Sequence, residues 1–172
     1  YPARFMLVAA MNPCPCGYLG DRNRPCRCTP QQIRQYQGRI SGPLLDRIDI
    51  HVEVPSVRYR ELSAGETADN SAAMRGRIEK AREVQKRRFP DGEFLPNARM
   101  TDRQVRAFCP LDAESRQLIE MAIDRLGLSA RAHSRILKVA RTIADLEGAP
   151  EIHPSHVAEA IQYRSLDRRL IW

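Results

Sequence analysis

Hydrophobic residues open this chain as one unbroken run and close it as a series of helical stripes. The opening run, Phe5-Met6-Leu7-Val8-Ala9-Ala10-Met11, stops abruptly at Asn12-Pro13. A short apolar run with no polar alternation is what a strand buried on both faces of a parallel sheet requires, so a strand is expected there. Thr29-Pro30 then offers an N-cap and a first-turn proline for a helix running from Gln31 to Gly38. Ser41-Gly42-Pro43 breaks that helix, a short turn carries Leu44 to Arg47, and a second strand is predicted from Ile48 to Val54. Residues 56–70 show no sustained periodicity and read as a linker.

From Ser71 onward the pattern is helical. A charged helix from Ala73 to Phe89 is stopped by Pro90-Asp91-Gly92, and Thr101 caps a short helix through Phe108. Asp112 caps the next, whose apolar positions Leu118, Ile119, Ala122, Ile123 and Leu126 recur every three or four residues and end at Gly127. Ser129 caps a fourth, with Ile136, Leu137, Ala140, Ile143 and Ala144 as its stripe before Gly148. Pro154 opens the last, with Val157, Ala160 and Ile161 inward. The fold class is therefore α+β and mainly α: residues 1–55 are the end of an α/β unit, 56–70 a linker, and 71–172 a helical bundle.

Composition narrows the setting. The 172 residues, 42% of them apolar, suffice for one or two domains with a core. No apolar run approaches the roughly 18 residues of a membrane span, so a cytoplasmic protein without a membrane partner is expected. A formal charge of +7 suits a polyanion such as DNA, although moderate basicity is common in soluble domains. The charged helix carries seven cationic residues against two glutamates. A solvated or subunit-facing surface explains it more simply than direct DNA contact.

Candidate chemistry gathers before residue 55. Asn12 falls at the carboxyl end of the first expected strand, where open α/β sheets place ligand chemistry, and its amide can orient a water or phosphate oxygen. Arg47 lies between Asp46 and Asp49, so it either reaches an anion or closes a salt bridge with one of them. Cys14, Cys16, Cys26 and Cys28 form two Cys-x-Cys pairs in one loop. Such a set either supplies the four ligands of a structural zinc, at a spacing tighter than usual, or remains as reduced thiols. Cys109, alone before Pro110, reads as a small buried hydrophobe, and no histidine is assigned to catalysis.

The segments Ala-Ala-Met-Asn-Pro-Cys-Pro-Cys-Gly and Gly-Pro-Leu-Leu-Asp-Arg-Ile-Asp resemble the end of the ATPase core of AAA+ proteins. The branch is that of the magnesium chelatase subunits and MCM helicases, and within it the ComM/YifB family. Ser129-Ala130-Arg131-Ala132 and the helix that follows resemble its lid helix. The resemblance implies that Asn12 is sensor 1, Arg47 the arginine finger and Arg131 the sensor 2 residue. It further implies an ATP hydrolase using ATP and Mg2+ in a self-assembled ring, a hexamer, moving DNA in recombination or natural transformation. A chelatase- or chaperone-type remodeller of a protein partner is the alternative. No Gly-x-x-x-x-Gly-Lys-Ser/Thr phosphate loop and no magnesium-binding acidic pair is present, so this stretch is expected to be the C-terminal part of a longer protein, inactive alone.

Overall fold

Most helix starts in this chain are set by one side chain. In the computed structural model, which describes residues 5–21, 23–55, 70–89 and 95–164, Thr29 and Thr101 each form a reciprocal capping box. Their partners are Gln32 and Gln104. Asn70, Asp112 and Ser129 each accept the backbone N–H three residues on. Each cap satisfies a donor that the helix leaves orphaned, and is worth about 1 kcal/mol.

Seven α-helices result among the described residues: α1 (Pro30–Gln37), α2 (Gly42–Arg47), α3 (Ser71–Arg88), α4 (Asp102–Phe108), α5 (Ala113–Leu126), α6 (Ala130–Glu147) and α7 (Pro154–Gln162). A single 3-10 turn, Asn97–Arg99, precedes α4. Helices α5 and α6 stop at Gly127 (φ 62°) and Gly148 (φ 75°), left-handed positions that a side chain would strain.

The core is centred on α6. Ile136, Leu137, Ala140, Ile143 and Ala144 are all buried, and α6 packs against α3, α4, α7 and the 3-10 turn, while α5 packs against α7. Val157 and Ala160 of α7, Ile119 of α5, Val105 of α4, Met100, Cys109, Leu128, Ala132 and Ile152 join the cluster. Phe89 and Phe108 seal its end edge to face, their rings 5.3 Å apart. Each large apolar side chain buried here contributes about 1.5–3 kcal/mol. Burial pushes the Cys109 thiol up to about 11, as befits an inert packing residue.

The mainly α character agrees with the sequence. The two expected strands do not form: Phe5–Met11 and Ile48–Val54 hold no strand or bridge, and most of their side chains are exposed, Phe5 being 77% and Val8 86% exposed. A central parallel strand is defined by hydrogen bonds to both neighbours, and among the described residues no strand is present to supply them. The Leu44–Arg47 turn is a full helical turn, α2. Most of the predicted linker, residues 56–69, lies outside the described residues, as do Pro90, Asp91 and Gly92.

Candidate functional site

The four cysteines meet. Their sulfurs lie within 4.8 Å of one another. Cys14 Sγ is 3.4 Å from Cys16 Sγ and 3.7 Å from Cys26 Sγ, and Cys16 and Cys26 are 3.6 Å apart. A tetrahedral ion with metal–sulfur bonds of ~2.3 Å sets its ligands ~3.8 Å apart, so the separations among Cys14, Cys16 and Cys26 suit zinc, with Cys28 within 4.8 Å to serve as the fourth ligand. The loop is shaped locally. Cys14 O accepts the Gly17 N–H, and Asp21 Oδ1 accepts those of Asn23 and Arg24, closing the hairpin that returns Cys26 and Cys28. Gln37 Nε2 donates to Pro13 O at 2.9 Å and ties α1 to the loop.

The thiols are unequal. Backbone N–H groups of Tyr18, then Arg27, bring Cys16 down to about 6, which makes it the most readily ionised of the set. Loss of hydration pushes Cys28 up to about 12. The Cys28 backbone N–H lowers Cys26, but burial and the neighbouring thiols outweigh it and raise that thiol overall. Four sulfurs this close cannot all ionise without a cation among them, which is the condition a bound metal removes.

Arg47 closes α2, and the two aspartates beside it are occupied elsewhere. Asp46 Oδ1 accepts Ser129 Oγ at 3.1 Å and lies 3.4 Å from the Arg164 guanidinium. Asp49 pairs with Arg135 at 2.8 Å. Arg164, 1% exposed, also donates to Ile48 O, and the His51 N–H donates to Tyr163 O at 2.9 Å. The segment bearing Arg47 is therefore fastened to the start of α6 and the end of α7. Arg47 itself is exposed and donates to Pro43 O at 3.2 Å. Among the described residues no carboxylate lies within ion-pair distance of it. The salt bridge to Asp46 or Asp49, one of its two readings, is absent.

Arg131, second residue of α6, is also exposed, and no hydrogen bond or ion pair engages it among the described residues. The Ser129–Asp46 bond brings its helix turn to that of Arg47. Asn12 is exposed and lies against Gly17, where a Cβ would come 3.8 Å from its amide carbon. No hydrogen bond joins Asn12 to either arginine among the described residues.

A buried charge cluster went unread in the sequence. Asp145 on α6 accepts from Arg88 of α3 through both oxygens, from Asn97 Nδ2 at 2.7 Å and from Arg141 Nε at 3.0 Å. Arg141 also donates to Pro150 O and Ala149 O at 2.9 and 2.7 Å. Asn97 completes the set, accepting from Arg88 and donating to Thr142 Oγ1. Burial opposes ionisation of Asp145, but the Arg88 and Asn97 bonds and the charges of Arg88 and Arg141 hold its carboxyl below the usual range. The available signal was that Arg141 and Asp145, four apart, fall within the apolar stripe of α6. His156 is likewise structural, its Nδ1 accepting the His153 N–H and its Nε2 2.7 Å from Glu147.

Comparison with known proteins identifies relatives of the chain. The model of the magnesium chelatase subunit ChlI matches residues 1–62, and that of the C-terminal region of the same subunit matches residues 68–164. Competence protein ComM of Haemophilus influenzae is 45% identical over 172 residues, covering 99% of this chain and 32% of its own length. The YifB proteins of Salmonella typhimurium and Escherichia coli are each 44% identical over 176 residues, covering 99% of this chain and 33% of their own. The chain thus spans about a third of the length of the curated relatives it matches.

Proposed function

This chain belongs to the magnesium chelatase subunit ChlI family of AAA+ proteins, and from that premise we propose that it is the sensing and lid portion of an ATP-driven ring motor acting on DNA. In this reading residues 1–55 complete the ATPase core, 56–70 link, and 71–172 form the lid. The ring is built of copies of the same protein, six by analogy with related motors.

The observation that carries the reading is Arg47. An arginine exposed beside two aspartates would normally pair with one of them; here both are held by Ser129, Arg135 and Arg164, which leaves the guanidinium to meet an external anion. Phosphoryl transfer asks a protein for positioning and neutralisation of charge rather than covalent chemistry. Arg47 would meet the γ-phosphate of a nucleotide in the neighbouring subunit. Asn12 would orient the attacking water, and Arg131 would bring a second cation to a nucleotide as the lid moves. Mg2+ would offset charge on the phosphates, held by residues that this stretch does not contain. DNA as the substrate is supported by the +7 charge and by a relative named for competence. Structural zinc on Cys14, Cys16, Cys26 and Cys28 is part of the proposal, supported by the sulfur separations.

The test uses the full-length protein. Arg47→Ala is expected to lower DNA-stimulated ATP turnover about 10³-fold with nucleotide affinity retained. Mixed with wild-type subunits, it should regain hydrolysis at its own nucleotide sites. Activity that tracks each subunit's own genotype would overturn the interface role. Stimulation by a protein partner and not by DNA would replace the DNA motor with a remodeller.

A further inference from the structure

A groove of ≈ 540 Å³ runs between the cysteine loop and α1, lined in part by Arg27, Cys28, Gln32, Gln35, Tyr36 and Arg39. Residues 12–40 contain five arginines, one aspartate and no other charged side chain. That aspartate, Asp21, is turned onto the backbone of its own hairpin. Arg24 stacks over Tyr18 and donates to its hydroxyl at 2.8 Å. Among the described residues, Arg27 and Arg39 have no carboxylate within ion-pair distance. Two cations facing one groove from its two sides, with no carboxylate paired to either among the described residues, attract anions.

A second open groove makes the contrast. It lies on α3, where Glu79 and Glu83 match Lys80 and Arg87 in number. In the α1 groove the polar side chains beside the arginines are the amides of Gln32 and Gln35, which donate to phosphate oxygens or base edges, and the thiols of Cys16 and Cys28, next to the half-buried ring of Tyr36. Cation, amide and aromatic lining a channel is the chemistry that holds a single strand by its backbone and stacks a base. The Gln37–Pro13 bond and the gathered cysteines hold the two walls together.

We propose that the groove between the cysteine loop and α1 is a seat for single-stranded DNA, with Arg27 and Arg39 on consecutive phosphates and Tyr36 against a base. It rests on the DNA-motor reading and names the surface that reading lacks. The cysteine cluster thereby has a task beyond holding its own loop: it presents the arginines.

The experiment measures binding of fluorescein-labelled oligo(dT) to the full-length protein by anisotropy across a salt series, alongside DNA-stimulated ATPase. Arg27→Gln with Arg39→Gln should flatten the slope of log affinity against log salt by about 1.4, two contacts at ~0.7 each. Tyr36→Ala should weaken binding about tenfold with the slope unchanged. Arg75→Gln with Lys80→Gln on α3 should leave both unchanged. Should the Arg27/Arg39 variant misfold by its melting curve, the single variant Arg39→Gln, with a slope change of about 0.7 expected, and Tyr36→Ala carry the same comparison. An unaltered slope in the Arg27/Arg39 variant, with wild-type protein still binding and stimulated by DNA, overturns the groove and spares the motor. Loss of binding from the α3 variant moves the strand there and also overturns it. No binding and no stimulation in wild-type protein removes both readings.

Discussion

The helical bundle and the segment before it are held together by different means. Residues 95–164 enclose a continuous apolar cluster around α6, with the Arg88–Asp145–Arg141 charges sealed beside it. Residues 5–55 bury little: of their hydrophobic side chains only Cys14 and Leu45 are below a tenth exposed. What orders them is four sulfurs at one end and polar bonds to the bundle at the other. An apolar core distributes its stability over many contacts, whereas a cysteine cluster concentrates it in one point. One substitution can therefore undo the cysteine-held segment but rarely the bundle.

Metal removal should show the largest difference. Purified protein is expected to carry about one zinc per chain, and Cys26→Ser should release it and unprotect residues 14–28 in hydrogen exchange, while the bundle melts unchanged. Zinc should also be shed on acidification, because each ligand must stay deprotonated and Cys26 and Cys28 hold their protons tightly. Metal-free protein with the loop still protected would break the comparison, leaving polar bonds as the sole explanation.

Asp145→Asn tests the bundle where charge, not hydrophobicity, is at stake. Arg88 and Arg141 would face one another uncompensated, and a loss of about 3–5 kcal/mol in urea unfolding at neutral pH is expected. The pH dependence has a definite sign. The Asp145 carboxyl is depressed in the folded state, so its contribution is complete above the unfolded value near ~3.9 and fades as pH falls through the folded one. Wild-type stability should therefore decline in that acid window more steeply than that of Asp145→Asn. Parallel acid profiles would show that the buried charges contribute nothing.

The smallest effects belong to the bonds between the regions. Arg164→Met removes a buried guanidinium from Ile48 O and Asp46 and should cost about 1.5–3 kcal/mol. Arg135→Ala removes a pair that is exposed on the Asp49 side, and should cost less than about 1 kcal/mol. Exchange rates at residues 46–51 should follow that order. Equal effects would mean that the segment is fastened by its backbone bond to Tyr163 alone.

What the sequence disclosed follows the range of the forces involved. Thr29, Thr101, Asp112 and Ser129 act on backbone groups three residues away, so the helix starts were readable without knowing the fold. The stripe of α6 was readable for the same reason. Strands depend on neighbours that a linear pattern does not supply, and the apolar run at Phe5–Met11 therefore pointed to a strand that is absent here. At the site, the cysteines were recognisable because their spacing lies within one loop. The engagement of Asp46 by Ser129 and Arg164 joins residues 83 and 118 apart in sequence. Arg88 and Asp145, 57 apart, look like surface charges until α3 is laid on α6.

The bonds at Asp46, Asp49 and His51 have a mechanical meaning. They anchor the short stretch carrying Arg47 to two separate points of the bundle, the first turn of α6 and the end of α7, and two anchors remove the freedom to pivot that one would leave. Arg47 then rides on the bundle like a tooth on a gear. In the proposed ring, any tilt of one lid advances or withdraws the tooth presented to the next subunit, so lid angle and neighbour hydrolysis become one coordinate and firing order is carried around the circle by rigid parts.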